Sequence, residues 1–317
     1  MLTLDYNPKQ KRRASTLLSL GLSSLEAGEV LVEKELHKEA LVHMYFCCFY
    51  ITQALLVMQV AKPSHKNLEA QLHKTYGKAK NFPRRYVDLH ALLHKLRNDF
   101  DYKVTYSPQP KLIEQKLRVL QAYVAFALRT VPKVDTSELL ADILAENPLD
   151  IRDFSYDVYC PKTYAHHTRL TLWQPPFYLD IFTPLHIQTQ ARRLLQNLHV
   201  RRPSDYVVGL NSRLNQYGDV HLIMLDIDSL DASVETHLSK IGGFLLRSGR
   251  GFHFIGKTVV KGKGAWEKKM KQLKRSKDLK QYLDHDHIDV SLRRGYATLR
   301  VTTSKVKPVT PVFFKEL

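Results

Sequence analysis

The stretch His221-Leu222-Ile223-Met224-Leu225-Asp226-Ile227-Asp228 decides how this chain is read. Its apolar run predicts a strand buried between layers, and Asp226 and Asp228, two positions apart, leave that strand on one face. Ionised carboxylates at the end of such a strand are costly unless a cation compensates them. Mg2+ or Mn2+ suits the need, as a hard ion that takes oxygen ligands and shares its coordination with substrate phosphates. Downstream, Ser248-Gly249-Arg250-Gly251-Phe252-His253 reads as a glycine turn opening another strand. Glycines let the backbone approach a phosphate, and Ser248 and Arg250 supply donors. Taken alone, the same six residues also read as a plain hairpin turn. His287-Ile288-Asp289-Val290 then predicts a further strand with a third acid, followed by Arg293, Arg294 and Arg300. Metals bridged by such acids can activate a 3′-hydroxyl and stabilise a pyrophosphate leaving group.

In this order, hydrophobic-Asp-hydrophobic-Asp, Ser-Gly-x-Gly-x-His and hydrophobic-Asp, the three pieces resemble the archaeo-eukaryotic primase superfamily, including primase-polymerases. The likeness spans about Tyr206 to Phe314. Val207-Val208-Gly209-Leu210-Asn211-Ser212-Arg213 is similar to the strand upstream of the first acidic motif in some relatives. The resemblance implies Asp226, Asp228 and Asp289 as catalytic metal ligands. It implies that Ser248, Gly249, Arg250 and His253 hold the phosphates of a nucleoside triphosphate, with Arg213, Arg293, Arg294 and Arg300 as looser nucleotide-binding candidates. The implied fold is an RRM-like α+β primase-type domain. This stretch carries no zinc-binding Cys/His module, a departure that bears on autonomous primer initiation.

From about residue 14 to 146 the texture is helical. Leu89, Leu92, Leu93, Leu96 and Phe100 recur at helical spacing, as do Ile113, Leu117, Leu120, Val124 and Leu128. Breaks fall at Lys62-Pro63-Ser64, Gly77, Asn81-Phe82-Pro83, Ser107-Pro108-Gln109-Pro110 and Val131-Pro132. Within it, Leu96-Arg97-Asn98-Asp99-Phe100-Asp101-Tyr102 resembles the HEPN family of small helical bundles, many of which dimerise and some of which cut RNA. The resemblance makes Arg97 and Tyr102 the candidate pair. Tyr102 stands where active members carry His, and a phenol with an ordinary pKa near 10 is a poor general base at neutral pH. Homodimerisation or docking is therefore the expected role of this part.

The sequence of 317 residues carries a net charge of +17 and a pI near 9.6, which favours DNA or RNA as partner, because Lys and Arg neutralise phosphates and release counterions. Nine Lys or Arg residues between Lys261 and Lys280 face only Glu267 and Asp278, and predict either a solvated helix face or a nucleic-acid backbone contact. Composition shifts after Asn147-Pro148, predicting a HEPN-like helical bundle over 1–148 and the primase-polymerase-like domain over 149–317. Cys47, Cys48 and Cys160 have no metal-ligand spacing, and with no secretory signal evident a cytoplasmic setting is expected. Ala40 to Ala61 lacks charge but holds His43, Thr52, Gln53 and Gln59, so a central bundle helix is expected there and no membrane span. Three functions fit these residues: metal-dependent nucleotidyl transfer on a nucleic-acid template, a HEPN-type ribonuclease of a defence or toxin-like system, and a non-catalytic nucleic-acid-binding protein.

Overall fold

The computed structural model describes residues 4–58, 64–79, 81–102, 109–161, 170–174, 183–216, 218–229, 231, 233–249 and 251–317. Among these, ten helices and two four-stranded antiparallel sheets make a mixed α/β protein. The chain divides into two compact units that meet in sequence at Val134 and Asp135.

The first unit is a helical bundle of α1 (Pro8–Glu33), α2 (His37–Leu55), α3 (His65–Tyr76), α4 (Arg84–Tyr102) and α5 (Pro110–Thr130). A capping box starts α1. The Asn7 side chain accepts from the Gln10 amide at 2.9 Å, and the Gln10 side chain accepts from the Asn7 amide at 3.0 Å. The uncharged run becomes α2, which packs against α1, α3, α4 and α5. Leu41, Met44, Tyr45, Cys47, Cys48, Ile51 and Leu55 are fully buried along it. Gly21 lets α1 approach closely, since a Cβ there would lie 2.8 Å from Ile51 Cδ1. The last carbonyls of α2, which no helical amide can satisfy, accept from Tyr6 Oη (Ala54, 2.8 Å) and Tyr76 Oη (Leu55, 3.1 Å). No helix among the described residues is long and apolar enough to cross a membrane.

The second unit opens on α6 (Thr136–Glu146). The contacts thus place the boundary earlier than the compositional shift at Asn147-Pro148. The reason is local: Asn147 Nδ2 donates to the carbonyls of Ile143 (2.8 Å) and Lys257 (2.7 Å), and Lys257 Nζ pairs with Glu146 at 2.8 Å. These bonds tie α6 to the second unit's sheet. Next come β1 (Phe154–Tyr159), β2 (Leu170–Gln174), α7 (Pro184–Asn197), β3 (Val207–Asn211), β4 (Val220–Ile227), α8 (Ser233–Leu238), β5 (Gly243–Arg247) and β6 (Phe252–Lys261). The chain ends with α9 (Ala265–Lys274), α10 (His285–Arg294), β7 (Thr298–Arg300) and β8 (Val312–Glu316). One sheet runs β2-β1-β3-β7 and the other β4-β6-β5-β8.

The segment 287–292, expected as a strand, is helix α10. Asp284 caps it by accepting from the His287 amide at 2.8 Å, and Gly295 stops it in the left-handed region at φ 80°. Ile288 and Ser291, three apart, are its buried positions. Ile288, Val290 and Leu292 alternate as a strand would, but the Asp284 cap and the Gly295 stop hold the segment as a helix.

Candidate functional site

The acids are placed by strand register. A register shift between Leu222 and Met224 of β4 sets Asp226 directly opposite His253 at the start of β6. Their side chains therefore share a face, with His253 Nε2 3.8 Å from Asp226 Oδ1. Beyond β4 the chain segment before α10 pairs antiparallel with its end, through the Ile227–Leu283 bridge. The Asp284 amide donates to the Asp226 carbonyl (3.0 Å) and the Asp228 amide to the Tyr282 carbonyl (2.9 Å). Because neighbours along a strand alternate faces, Asp226, Asp228 and Asp284 lie on one side and Ile227 and Leu283 on the other.

These three carboxylates open on a cavity of about 520 Å3 between the two sheets. That is the size of a small-molecule site. His253, Ser248 and Gly251 line it from the β5–β6 turn, His287, Asp286 and Arg294 from α10, and Lys307 from the loop before β8. Gly251 is required for this closeness, since a Cβ there would lie 1.9 Å from the Ile227 carbonyl oxygen. Tyr296, Thr298 and Thr171 form the opposite wall. They are fixed by the buried Asp157, whose carboxylate accepts from Thr171 Oγ1 (2.7 Å), Asn211 Nδ2 (2.8 Å) and Tyr296 Oη (3.1 Å). Thr298 Oγ1 in turn donates to Asn211 Oδ1 at 2.7 Å.

Burial raises the pKa of Asp226, and Asp284 and Asp228 push it the same way against His287 and Lys307. Asp228 is also raised, first by desolvation and then by Asp284. The acids therefore sit in a place that disfavours their negative charge, which is where a cation is most stabilising. Burial drives His253 well below the ordinary histidine range, helped by Arg300, His287 and Lys307. It is a neutral imidazole at pH 7, so its approach to Asp226 is not an ion pair.

Several expected residues lie elsewhere. Asp289 is on α10 outside the cavity, where its half-exposed carboxylate pairs with Lys274 at 2.5 Å. Asp284 lines the cavity instead; Leu283-Asp284 is a hydrophobic-Asp doublet like Ile288-Asp289, so the sequence by itself does not separate the two. Arg293 is exposed on α10 and does not line the cavity, whereas Arg294 does. Arg213 bridges to His221 away from the cavity. Gly249 contributes only the turn, at φ 101°. Arg250 lies outside the described residues. Arg300 lines the cavity, but its guanidinium donates to the carbonyls of Thr302 (3.1 Å), Val309 (2.5 Å) and Ser248 (3.1 Å), so it braces the glycine turn. In the helical unit, Arg97 lies over the rings of Tyr45 (5.2 Å) and Phe46 (5.3 Å), packed into the bundle. Tyr102 ends α4, and its side chain lies outside the described residues. Lys307 and Asp286 belong to no motif, and His287 stands in the sequence only as the residue that opens the run carrying Asp289.

Among the described residues no three His, Cys, Asp or Glu side chains are grouped closely enough to hold a metal ion by themselves. No protein-family model matches the chain, and no curated protein matches it.

Proposed function

We propose that the second unit is a nucleotidyltransferase of the primase-polymerase kind, which joins nucleoside triphosphates on a nucleic-acid template using Mg2+ or Mn2+. One observation carries the reading: Asp226, Asp228 and Asp284 share one strand face at the mouth of a cavity that also holds His253, Ser248, Arg294 and Lys307. Acids that can hold a divalent ion, lining the same cavity as groups that can bind phosphate oxygens, are what a metal-bound triphosphate needs.

The donor set fits a hard divalent ion. It is all oxygen, and the acids' mutual repulsion favours a cation. An open cluster that does not close a coordination shell by itself suits Mg2+, which is commonly held by one or two carboxylates plus substrate phosphates. When bound, the ion lowers the pKa of an attacking hydroxyl and offsets charge on the leaving pyrophosphate. The chain's own groups supply the rest. Neutral His253 donates a hydrogen bond to a phosphate oxygen, Lys307 and Arg294 balance the triphosphate charge, and the Asp157-braced wall of Tyr296 and Thr298 borders the space left for the sugar and base. In this reading the two sheets are the RRM-like core and its partner α/β unit, and the helical bundle is a HEPN-like docking or dimerisation element.

The test is incorporation of labelled nucleotides by the purified protein on primed and unprimed single-stranded DNA with Mg2+ or Mn2+. Asp226→Ala with Asp228→Ala abolishes incorporation, and a fully active double variant would remove the proposal.

A further inference from the structure

We propose that the outward stripe of α9, formed by Lys268, Lys271 and Arg275, is a docking track for a nucleic-acid backbone, outside the cleft and independent of its chemistry. These residues stand three and four apart, so they form one face of the helix at intervals of roughly 5 Å. With Gly264, Glu267, Gln272 and Ser276 they line an open groove. Three cations there face one acid. Elsewhere in this unit Lys257, Lys261, Lys274 and Lys315 each pair with a carboxylate, at 2.8, 2.6, 2.5 and 2.6 Å respectively. Among the described residues, Lys268, Lys271 and Arg275 make no ion pair. A row of uncompensated cations along a concavity suits a regular polyanion, whose binding releases counterions.

The rest of α9 argues for nucleic acid over an anionic membrane. Trp266, Met270 and Leu273 are all turned inward and buried, so the outer face has no apolar group to insert into a bilayer. Through the Lys274–Asp289 pair, α9 is also tied to α10, whose first turn lines the cavity. A strand held on α9 is thereby held on a helix that packs beside the element carrying Asp286 and His287.

The experiment is anisotropy titration of a labelled 20-nucleotide oligothymidylate across a range of KCl, without nucleotide or metal. The variant K268Q/K271Q/R275Q weakens binding by about tenfold at 0.05 M salt and lowers the slope of log affinity against log salt by about 2, the amount expected for three lost phosphate contacts to a single strand. A control, R192Q/R193Q/R201Q, removes the same charge from exposed sites of the same unit and changes the slope by less than about 1. The proposal is overturned by an unaffected stripe variant, by a control that is equally damaging, by a wild-type protein that does not bind the oligonucleotide, or by preference for phosphatidylserine vesicles. The cleft is read separately, by incorporation in the variant Asp226→Ala with Asp228→Ala, and the track by this titration in K268Q/K271Q/R275Q. Loss of incorporation with the track intact, or of the track with incorporation intact, therefore separates the two readings.

Discussion

Asp284 and Asp289 are five residues apart on the same short segment, and the difference between them is pure placement. Asp284 faces the cavity beside Asp226, while Asp289 holds Lys274 at the surface. Asp284→Asn keeps the helix cap, since Asn caps as well as Asp, but removes a negative oxygen donor. We expect it to lower nucleotide incorporation by more than about 100-fold, and Asp289→Asn by less than about threefold, in the same assay. The buried acid also makes a stability prediction. The folded pKa of Asp226 is raised, so its contribution is present at low pH and is lost as pH rises through the folded value. Asp226→Asn should therefore melt at a higher temperature than the wild-type protein at pH 7 while losing incorporation. Equal or lower melting temperature would contradict the desolvation argument. His221, stacked on Trp266 at 5.0 Å, gives the opposite sign. Burial lowers its pKa to about 4. Stability from the neutral ring is fully present above about pH 6.5 and falls as pH drops towards 4, by up to about 3 kcal/mol. His221→Phe keeps the stack, removes the titration and should flatten that decline in urea melts at stepped pH.

At the scale of elements, the β5–β6 turn sets the cleft. Its two glycines differ in kind. Gly249 has φ 101° and open space around it, so Gly249→Ala costs only backbone strain, about 1 kcal/mol. Gly251 faces the Ile227 carbonyl, and a methyl group there cannot be accommodated without separating β6 from β4. Gly251→Ala should cost more than about 3 kcal/mol in chemical denaturation, and equal costs for the two variants would refute this account. The turn's motif was readable because both glycines and the histidine fall at fixed offsets. Helix α10 was not, because Ile288, Val290 and Leu292 alternate as a strand would, although the Asp284 cap and the Gly295 stop bound it as a helix.

Across the whole molecule, the position of the unit boundary makes a direct prediction. α6 is held by Asn147 and Lys257, so a fragment of residues 135–317 should give a cooperative thermal transition. A fragment of 149–317 strips these bonds and leaves the Lys257 carbonyl and the Val259 amide without their Asn147 partner. We expect it to aggregate or to melt without cooperativity, as measured by circular dichroism. Composition marked residue 148 because strand-forming residues begin there. Compactness marked residue 134, since a helix belongs to whichever unit buries its apolar face.

Local chemistry determined much on its own. Periodicity marked the helices of the first half, the uncharged run marked the bundle's central helix, and short motifs singled out Asp226, Asp228, Ser248 and His253, which line one cavity. Those signals survive because they depend on spacing along the chain, which folding does not alter. Tertiary structure alone decided that Asp284 and not Asp289 joins them, that Arg300 braces a turn, and that Lys307 faces the acids. Each depends on strand register and on which face of an element is buried, and these are fixed only when distant segments pair.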